Sequence, residues 1–203
     1  MGATATPHAF TYVALGASDA YGIGTNDPQT DNWPTVLALQ LGVDTHLVNL
    51  GVPGTTLKQA LTAQLPVAVD AHPDVVTVWL AVNDLLDGVP LATYTQELDT
   101  AVAALRDHTG ARVFVGNVPD LALLPRLSGV SPTELGAQIA RWNQAIAGVC
   151  TARGAYVVDL FTDWSELAAH PEYVSADGFH PSTIGAKRLA AIFAAAIRQT
   201  PAK

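Results

Sequence analysis

The chain has 203 residues, a length that suits one α/β domain and leaves little room for a second, so we treat residues 1–203 as a single domain. Apolar residues make up 49% of the sequence, which is enough for a buried core and too many for a disordered chain. The formal net charge of −8 disfavours nucleic acid and anionic membranes as partners, and no apolar run is long enough to span a bilayer.

The cysteine content and the first residues bear on the compartment. The single cysteine, Cys150, excludes an internal disulfide, and its apolar helical surroundings predict a small core residue. Residues 1–10 lack a basic region followed by an apolar run, so they do not have the form of a secretion signal. We therefore expect a cytoplasmic protein, with a signal trimmed from the precursor as the alternative.

Five short runs rich in Val and Leu alternate with stretches of helical spacing. Each run is apolar at consecutive positions, which is typical of strands buried on both faces of a parallel sheet. Strands that alternate with helices imply a three-layer α/β/α sandwich around a five-stranded parallel sheet. The predicted strands are residues 12–15, 46–50, 75–80, 112–116 and 156–160.

Four stretches between and after these strands have helical spacing. Residues 34–41 form one, and apolar residues at helical intervals mark two more, within 94–105 and 135–149. The segment before the third, Ser131-Pro132-Thr133-Glu134, has the form of a capping box with Ser at the N-cap. The last predicted helix runs from about 183 to 198.

Unusual residues follow three of the predicted strands, at the sheet edge where α/β proteins place their sites. Ser18 follows the first strand, Gly51-Val52-Pro53-Gly54 follows the second, and Asn83-Asp84 follows the third. Each of these is also what an ordinary turn or helix cap contains, with Thr55 or Thr56 as the cap after the second strand. The glycines around Ser18 do not match a phosphate-binding loop, which argues against a nucleotide-binding domain.

A fourth block precedes the last predicted helix. Among the six histidines, only His180 has an acid three residues earlier across a glycine, in Asp177-Gly178-Phe179-His180. A tight loop there brings the carboxylate to one ring nitrogen while the other faces outward. That arrangement is what the histidine of a serine hydrolase requires.

Together the four blocks resemble the SGNH, or GDSL-type, hydrolase family, in the family's order and across residues 10–198. The resemblance implies a flavodoxin-like sheet and a serine esterase with Ser18 as nucleophile, His180 as general base and Asp177 as the acid that orients it. It also implies an oxyanion hole made by the N–H groups of Ser18 and Gly51 and by the side-chain amide of Asn83.

Two positions depart from the family pattern. Ala17 stands where the family usually has Asp between the Gly and the Ser, and Ala81 stands where the third block usually begins with Gly. Neither position carries a group assigned to bond making. The missing acid at 17 removes a neighbouring hydrogen bond, and we consider Asp19 as its partial replacement.

We therefore expect a carboxylesterase that hydrolyses short- to medium-chain esters through an acyl-enzyme on Ser18. It needs no cofactor and no metal, because the chain lacks a His/Cys cluster with metal-ligand spacing. A small-molecule ester is the expected partner. An acyltransferase, a thioesterase or a lysophospholipase on the same scaffold remain alternatives, as does a non-catalytic binding module.

Apolar residues near the predicted site suggest a substrate pocket. We expect Tyr21, Leu85 and Phe179 to contact substrate, and a group of leucines after the fourth strand to wall an acyl pocket. No insertion is long enough to form a separate lid, which favours an esterase over a lipase. The leucines are Leu121, Leu123, Leu124 and Leu127.

Overall fold

A computed structural model describes residues 10–201 of the chain, so all but the last residue of the segment 1–10 lies outside the described part. Five strands form one sheet in the order β2-β1-β3-β4-β5, and every adjacent pair is parallel. The strands are β1 (Thr11–Gly16), β2 (His46–Asn49), β3 (Val75–Trp79), β4 (Arg112–Gly116) and β5 (Tyr156–Val158).

The predicted strands are confirmed, with ends that differ by one or two residues. β3 stops at Trp79 because Leu80 is already the N-cap of a helix, and β5 stops at Val158 because Leu160 begins another helix. The central strands β1 and β3 are buried along their whole length. This two-sided burial explains why they read as uninterrupted apolar runs.

Helices cover both faces of the sheet. On one face α2 packs against α9, and on the other α3, α4 and α7 pack around α6, which gives the three-layer sandwich. The helices are α1 (Ser18–Tyr21), α2 (Trp33–Leu41), α3 (Leu57–Ala63), α4 (Leu65–Asp70), α5 (Ala81–Leu86), α6 (Leu91–Thr109), α7 (Pro132–Arg153), α8 (Leu160–Asp163) and α9 (Thr183–Gln199).

Local sequence signals account for several helix starts. At α7 the Ser131 hydroxyl accepts the N–H of Glu134, as the predicted N-cap requires. Of the two threonines considered after the second strand, Thr56 is the N-cap of α3, in a capping box with Gln59. Asn83 and Asp84, expected in a turn, instead belong to the helix α5, where their side chains bond to the backbone of Thr55 and Leu57.

The environment of the cysteine and the character of the helices complete the description of the fold. Cys150 is buried in the core as predicted. Within residues 10–201, none of the helices combines the length and apolar character needed to cross a bilayer.

The strand order places a crevice at the carboxyl end of β1. The connection from β1 leads to β2 on one side, and the chain then returns to β3 on the other side of β1. In open parallel sheets such a reversal leaves a space beyond the strand ends where ligands bind. The segments that follow β1, β2 and β3 all meet there.

Candidate active site

Ser18 begins α1 directly after the first strand. The end of β1 is fixed by Gln64, whose buried side chain accepts the N–H of Gly16 at 3.1 Å and donates to the Gly16 carbonyl at 2.9 Å. As the first helical residue, Ser18 has a backbone N–H without an intrahelical acceptor. The serine hydroxyl and this N–H are therefore both available at the crevice.

Ser18, His180 and Asp177 form a continuous chain of hydrogen bonds. Nε2 of His180 lies 2.9 Å from Oγ of Ser18, and Nδ1 lies 2.6 Å from Oδ2 of Asp177. Ser18 and His180 are 162 positions apart in the sequence, and the fold brings them together with Asp177. This order of contacts lets the imidazole take the hydroxyl proton while the carboxylate fixes its tautomer.

The second oxygen of Asp177 organises the loop that carries the histidine. Oδ1 accepts hydrogen bonds from the hydroxyl of Ser175 and from the N–H groups of Phe179 and His180, at 2.8 to 2.9 Å. Burial raises the pKa of Asp177, but the hydrogen bonds from His180, Phe179 and Ser175 outweigh it and hold that pKa well below its usual range. The carboxylate is therefore ionised wherever the imidazole is to be used as a base.

Hydrogen bonds tie the histidine loop to the rest of the protein. The N–H of Arg126 donates to the Gly178 carbonyl at 3.0 Å. After the loop, the hydroxyl of Thr183 accepts the N–H of Asn26 at 2.8 Å and donates to Asp31 at 3.1 Å. These contacts join the loop to the segment that follows α1, so the histidine and the serine are held by connected pieces of chain.

The structure does not favour Gly51 as an oxyanion donor. Its N–H donates to Oδ1 of Asn49 at 3.0 Å, so it is already engaged. A side chain at Gly51 would lie 2.6 Å from the backbone nitrogen of Tyr21, which shows that the glycine is needed for close packing against α1. Its place in the second block is explained by this contact.

Gly54, three residues later, has a different environment. It lies in a turn closed by the N–H of Thr55 and the carbonyl of Val52, with Pro53 and Gly54 at the central positions. Gly54 has φ +78°, a conformation that favours glycine in such turns. Its N–H has no acceptor among the described residues, unlike that of Gly51.

The side chains of Asn83 and Asp84 connect α5, through hydrogen bonds, to the turn that contains Gly54 and to the start of α3. One N–H of the Asn83 amide donates to the Thr55 carbonyl at 2.9 Å, which leaves the other N–H for a ligand. Oδ2 of the fully buried Asp84 accepts the N–H of Leu57 at 2.9 Å. The two bonds flank the start of α3 and fix the turn next to the cavity wall that Asn83 helps to form.

A mostly apolar cavity opens beside the triad. Its volume, including the open mouth, is about 580 Å³. Ser18, His180 and Asn83 lie on its wall together with aromatic and aliphatic side chains. The apolar side chains of the wall include Trp79, Leu80, Val82, Leu121, Leu124, Trp164, Leu167 and Phe179.

Comparison with known proteins agrees with this geometry. The model of the GDSL-like lipase/acylhydrolase family matches residues 14–188. The chain belongs to this family of hydrolases. An arylesterase from Vibrio mimicus is 33% identical over 101 residues, which cover 48% of this chain and half of that relative.

Solved structures of other proteins share the fold of this GDSL-family chain. The crystal structure of TesA is 22% identical, with a TM-score of 0.77 over 93% of this chain and 98% of that one. The lipase/acylhydrolase from Enterococcus faecalis is 20% identical, with a TM-score of 0.72 over 96% of this chain and 98% of that one. The flavodoxin-like sandwich implied by the resemblance is thereby confirmed.

In this GDSL-family protein only part of the expected substrate pocket lies on the cavity. Phe179 is on its wall, but Tyr21 is half-exposed on the surface and Leu85 is buried in the core. Leu85 belongs to the helix α5 and is one of its buried residues.

The leucines after β4 divide in the same way. Leu121 and Leu124 line the cavity, and Leu123 and Leu127 pack against the core without lining it. The short 3₁₀ helices Leu121–Leu123 and Pro125–Leu127 set this division. Leu121 and Leu124 therefore suit the wall of an acyl pocket, whereas Leu123 and Leu127 belong with the core.

Sequence reasoning missed several cavity residues. Leu80 and Val82 lie within three residues before Asn83, so their position beside the site was readable from the third block. Trp164 and Leu167 come from the segment after β5, and no local pattern indicates that it covers the cavity. Within residues 10–201, no group of three or more His, Cys, Asp or Glu side chains is arranged to hold a metal ion.

Proposed function

We propose that the protein is a serine carboxylesterase that acts through an acyl-enzyme on Ser18. The observation that carries the proposal is the hydrogen-bond chain from Ser18 through His180 to Asp177 at the mouth of an apolar cavity. A serine hydroxyl is a poor nucleophile unless a base removes its proton during attack, and the imidazole is placed to do so.

The reaction begins with attack of the Ser18 oxygen on the ester carbonyl, as Nε2 of His180 takes the hydroxyl proton. The carbonyl oxygen gains negative charge, which the N–H of Ser18 and the free N–H of the Asn83 amide stabilise. The intermediate then expels the alcohol, which receives the proton from His180. Water, deprotonated by the same imidazole, cleaves the acyl-enzyme and restores the serine.

We assign the second backbone donor of the oxyanion hole to Gly54 in place of Gly51. The N–H of Gly51 is engaged with Asn49, whereas the turn that contains Gly54 is held next to Asn83 by the Thr55 carbonyl. An oxyanion donor has to be unpaired before the charge develops, and Gly54 meets that condition among the described residues.

For the substrate we propose esters of short to medium acyl chains, including aryl esters. The apolar wall would gain about 0.8 kcal/mol for each methylene it buries, until the cavity is full. The similarity to a protein named as an arylesterase supports the aryl leaving group. The aromatic side chains Trp79, Trp164 and Phe179 offer flat apolar surface to a ring in the same cavity.

A fluorophosphonate probe and a p-nitrophenyl ester test the proposal together. We expect one covalent adduct at Ser18 by mass spectrometry, and a burst of p-nitrophenol that matches the enzyme concentration when deacylation is slow. Ser18→Ala should lose both signals and keep the circular dichroism of the parent protein. Ser128→Ala changes an exposed serine outside the hydrogen-bond chain of the triad, is the matched control and should retain both signals. Stoichiometric labelling at another residue would overturn the assignment.

A further inference from the structure

Asp19 is an acidic side chain beside the nucleophile that the mechanism above does not use. It follows Ser18 in the first turn of α1 and lines the cavity with Ser18 and His180. The family's usual acid before the serine is replaced here by Ala17. This strand end therefore keeps one carboxylate, but on the other side of the nucleophile in the chain.

A buried tryptophan fixes the position of Asp19. Nε1 of Trp33 donates to Oδ2 of Asp19 at 2.8 Å. The Trp33 ring is fully buried, stacks on Phe193 at 4.5 Å between centroids, and meets Trp79 edge-on at 6.3 Å. Because the indole cannot move without disturbing the core, the carboxylate it binds has one preferred position.

The carboxylate of Asp19 interacts electrostatically with the catalytic histidine. Burial raises the pKa of Asp19 to about 6, while the hydrogen bond from Trp33 and the charge of His180 act in the opposite direction. A charge interaction between two groups is mutual, so a negative Asp19 also favours the protonated form of His180. No hydrogen bond joins the two side chains in the described structure, so the effect acts through space.

Other charged groups near the imidazole are few. Asp177 bonds to Nδ1 from the histidine's own loop. Asp120 also lies on the cavity wall, and its carboxylate accepts the N–H of Ala122. Arg126 is exposed and stacks over Phe179 at 5.7 Å from the ring centroid. Of Asp19 and Asp120, the two carboxylates on the cavity wall, Asp19 is the one that follows the nucleophile directly in the chain.

We propose that Asp19 is a second acidic positioning residue, which stabilises the His180 imidazolium during acylation and deacylation. This inference rests on the proposed function of the triad. The imidazole becomes positively charged each time it takes a proton from serine or from water, and a fixed negative charge nearby lowers the energy of that state. Asp177 does this through a hydrogen bond, and Asp19 adds to it by charge alone.

The consequence is a coupled dependence on pH. Below about pH 6 Asp19 takes up a proton, and its support for the imidazolium is lost. Because a proton on Asp19 disfavours a proton on His180, the two protonations oppose each other, and the acid side of the kcat/KM profile should be shallower than a one-proton curve. Without the carboxylate the profile should follow a single proton and move to lower pH.

The kinetic test compares Asp19→Asn with the wild-type protein. Asparagine keeps the shape and still accepts the Trp33 N–H, so the packing is preserved. We expect the acid side of kcat/KM for p-nitrophenyl butyrate to move down by roughly half to one pH unit. The plateau should fall about 3- to 10-fold, because the base is weaker. Asp27→Asn, which removes an equal charge from an exposed loop, should leave the profile unchanged.

A second readout needs no substrate. The ring-proton resonance of His180, identified by its loss in His180→Gln, can be followed by NMR as the pH is changed. Asp19→Asn should lower the midpoint of this titration by the same amount as in the kinetic profile, and Asp27→Asn should not. If Asp19→Asn lowers activity without moving either midpoint, its role is structural and the proposal is overturned. If no ester is hydrolysed but the NMR midpoint moves, the proposed function fails while the coupling stands.

Discussion

Replacing the buried Asp84 by asparagine should change how the stability of the protein depends on pH. Oδ2 accepts the N–H of Leu57, but Oδ1 has no hydrogen-bond partner among residues 10–201. Burial raises the pKa of Asp84 to about 6; the Leu57 N–H opposes this rise, and the nearby Glu97 adds to it. The folded protein thus holds this proton more tightly than the unfolded chain.

The sign and size of the effect follow from the two pKa values. Between about pH 4 and pH 6 the unfolded chain releases the proton and the folded protein keeps it, so the free energy of unfolding falls as pH rises. The difference between an ordinary value of 3.8 and about 6 corresponds to about 3 kcal/mol, which is fully lost above pH 6. Asparagine at 84 can accept from Leu57 and carries no charge.

Urea unfolding at several pH values measures this directly. The free energy of unfolding of Asp84→Asn minus that of wild type should be small at pH 4 and should rise to about 2–3 kcal/mol at pH 7.5. Asp87→Asn changes an exposed carboxylate at the end of the same helix and should show a much smaller effect, because the charge of Asp87 is a minor cause of the raised Asp84 pKa. A difference for Asp84→Asn that stays constant across the pH range would refute the reasoning.

Three further predictions concern catalysis and specificity. Asn83→Ala should lower kcat by about 10²–10³ with little change in KM. The control Asn143→Ala also removes an amide bonded to a backbone carbonyl and should leave kcat within about threefold. Equal losses of kcat in the two variants would show that Asn83 has only a structural role. Asp177→Asn should lower kcat by about 10⁴ with an unchanged circular dichroism spectrum, and near-normal turnover would contradict its role. Across p-nitrophenyl esters, kcat/KM should rise from acetate and level off by about eight carbons; a maximum at palmitate would show that the cavity is longer than its described walls.

The sheet and the order of the four blocks could be predicted because short local sequence patterns indicate both. Strands buried on both faces are uninterrupted apolar runs, and a parallel sheet brings their carboxyl ends together. The histidine and its acid were found because Asp177 and His180 lie within one short loop. α5 was missed because Asn and Asp are turn formers, and their helical conformation depends on bonds to Thr55 and Leu57 in a distant part of the chain.

The choice between two glycines and the lining of the cavity needed three-dimensional information. Gly51 and Gly54 lie in the same segment, and only the hydrogen bond to Asn49 shows which N–H is already engaged. Leu121 and Leu124 share a cavity-facing side that depends on a 3₁₀ turn. Trp164 lines the cavity from the segment after β5. This long-range packing leaves no periodic pattern in the sequence.

The positions of the tryptophans make their intrinsic fluorescence sensitive to events at the site. Of the four tryptophans, Trp79 and Trp164 line the cavity, and Trp33 binds the carboxylate next to the nucleophile. The fourth, Trp142, packs against Tyr94 on the helices of the other face. Indole emission depends on local polarity and charge, so filling the cavity or protonating Asp19 should change the fluorescence of the unlabelled protein. Acyl-enzyme formation on esters that release no colour should therefore be visible in a stopped-flow fluorimeter.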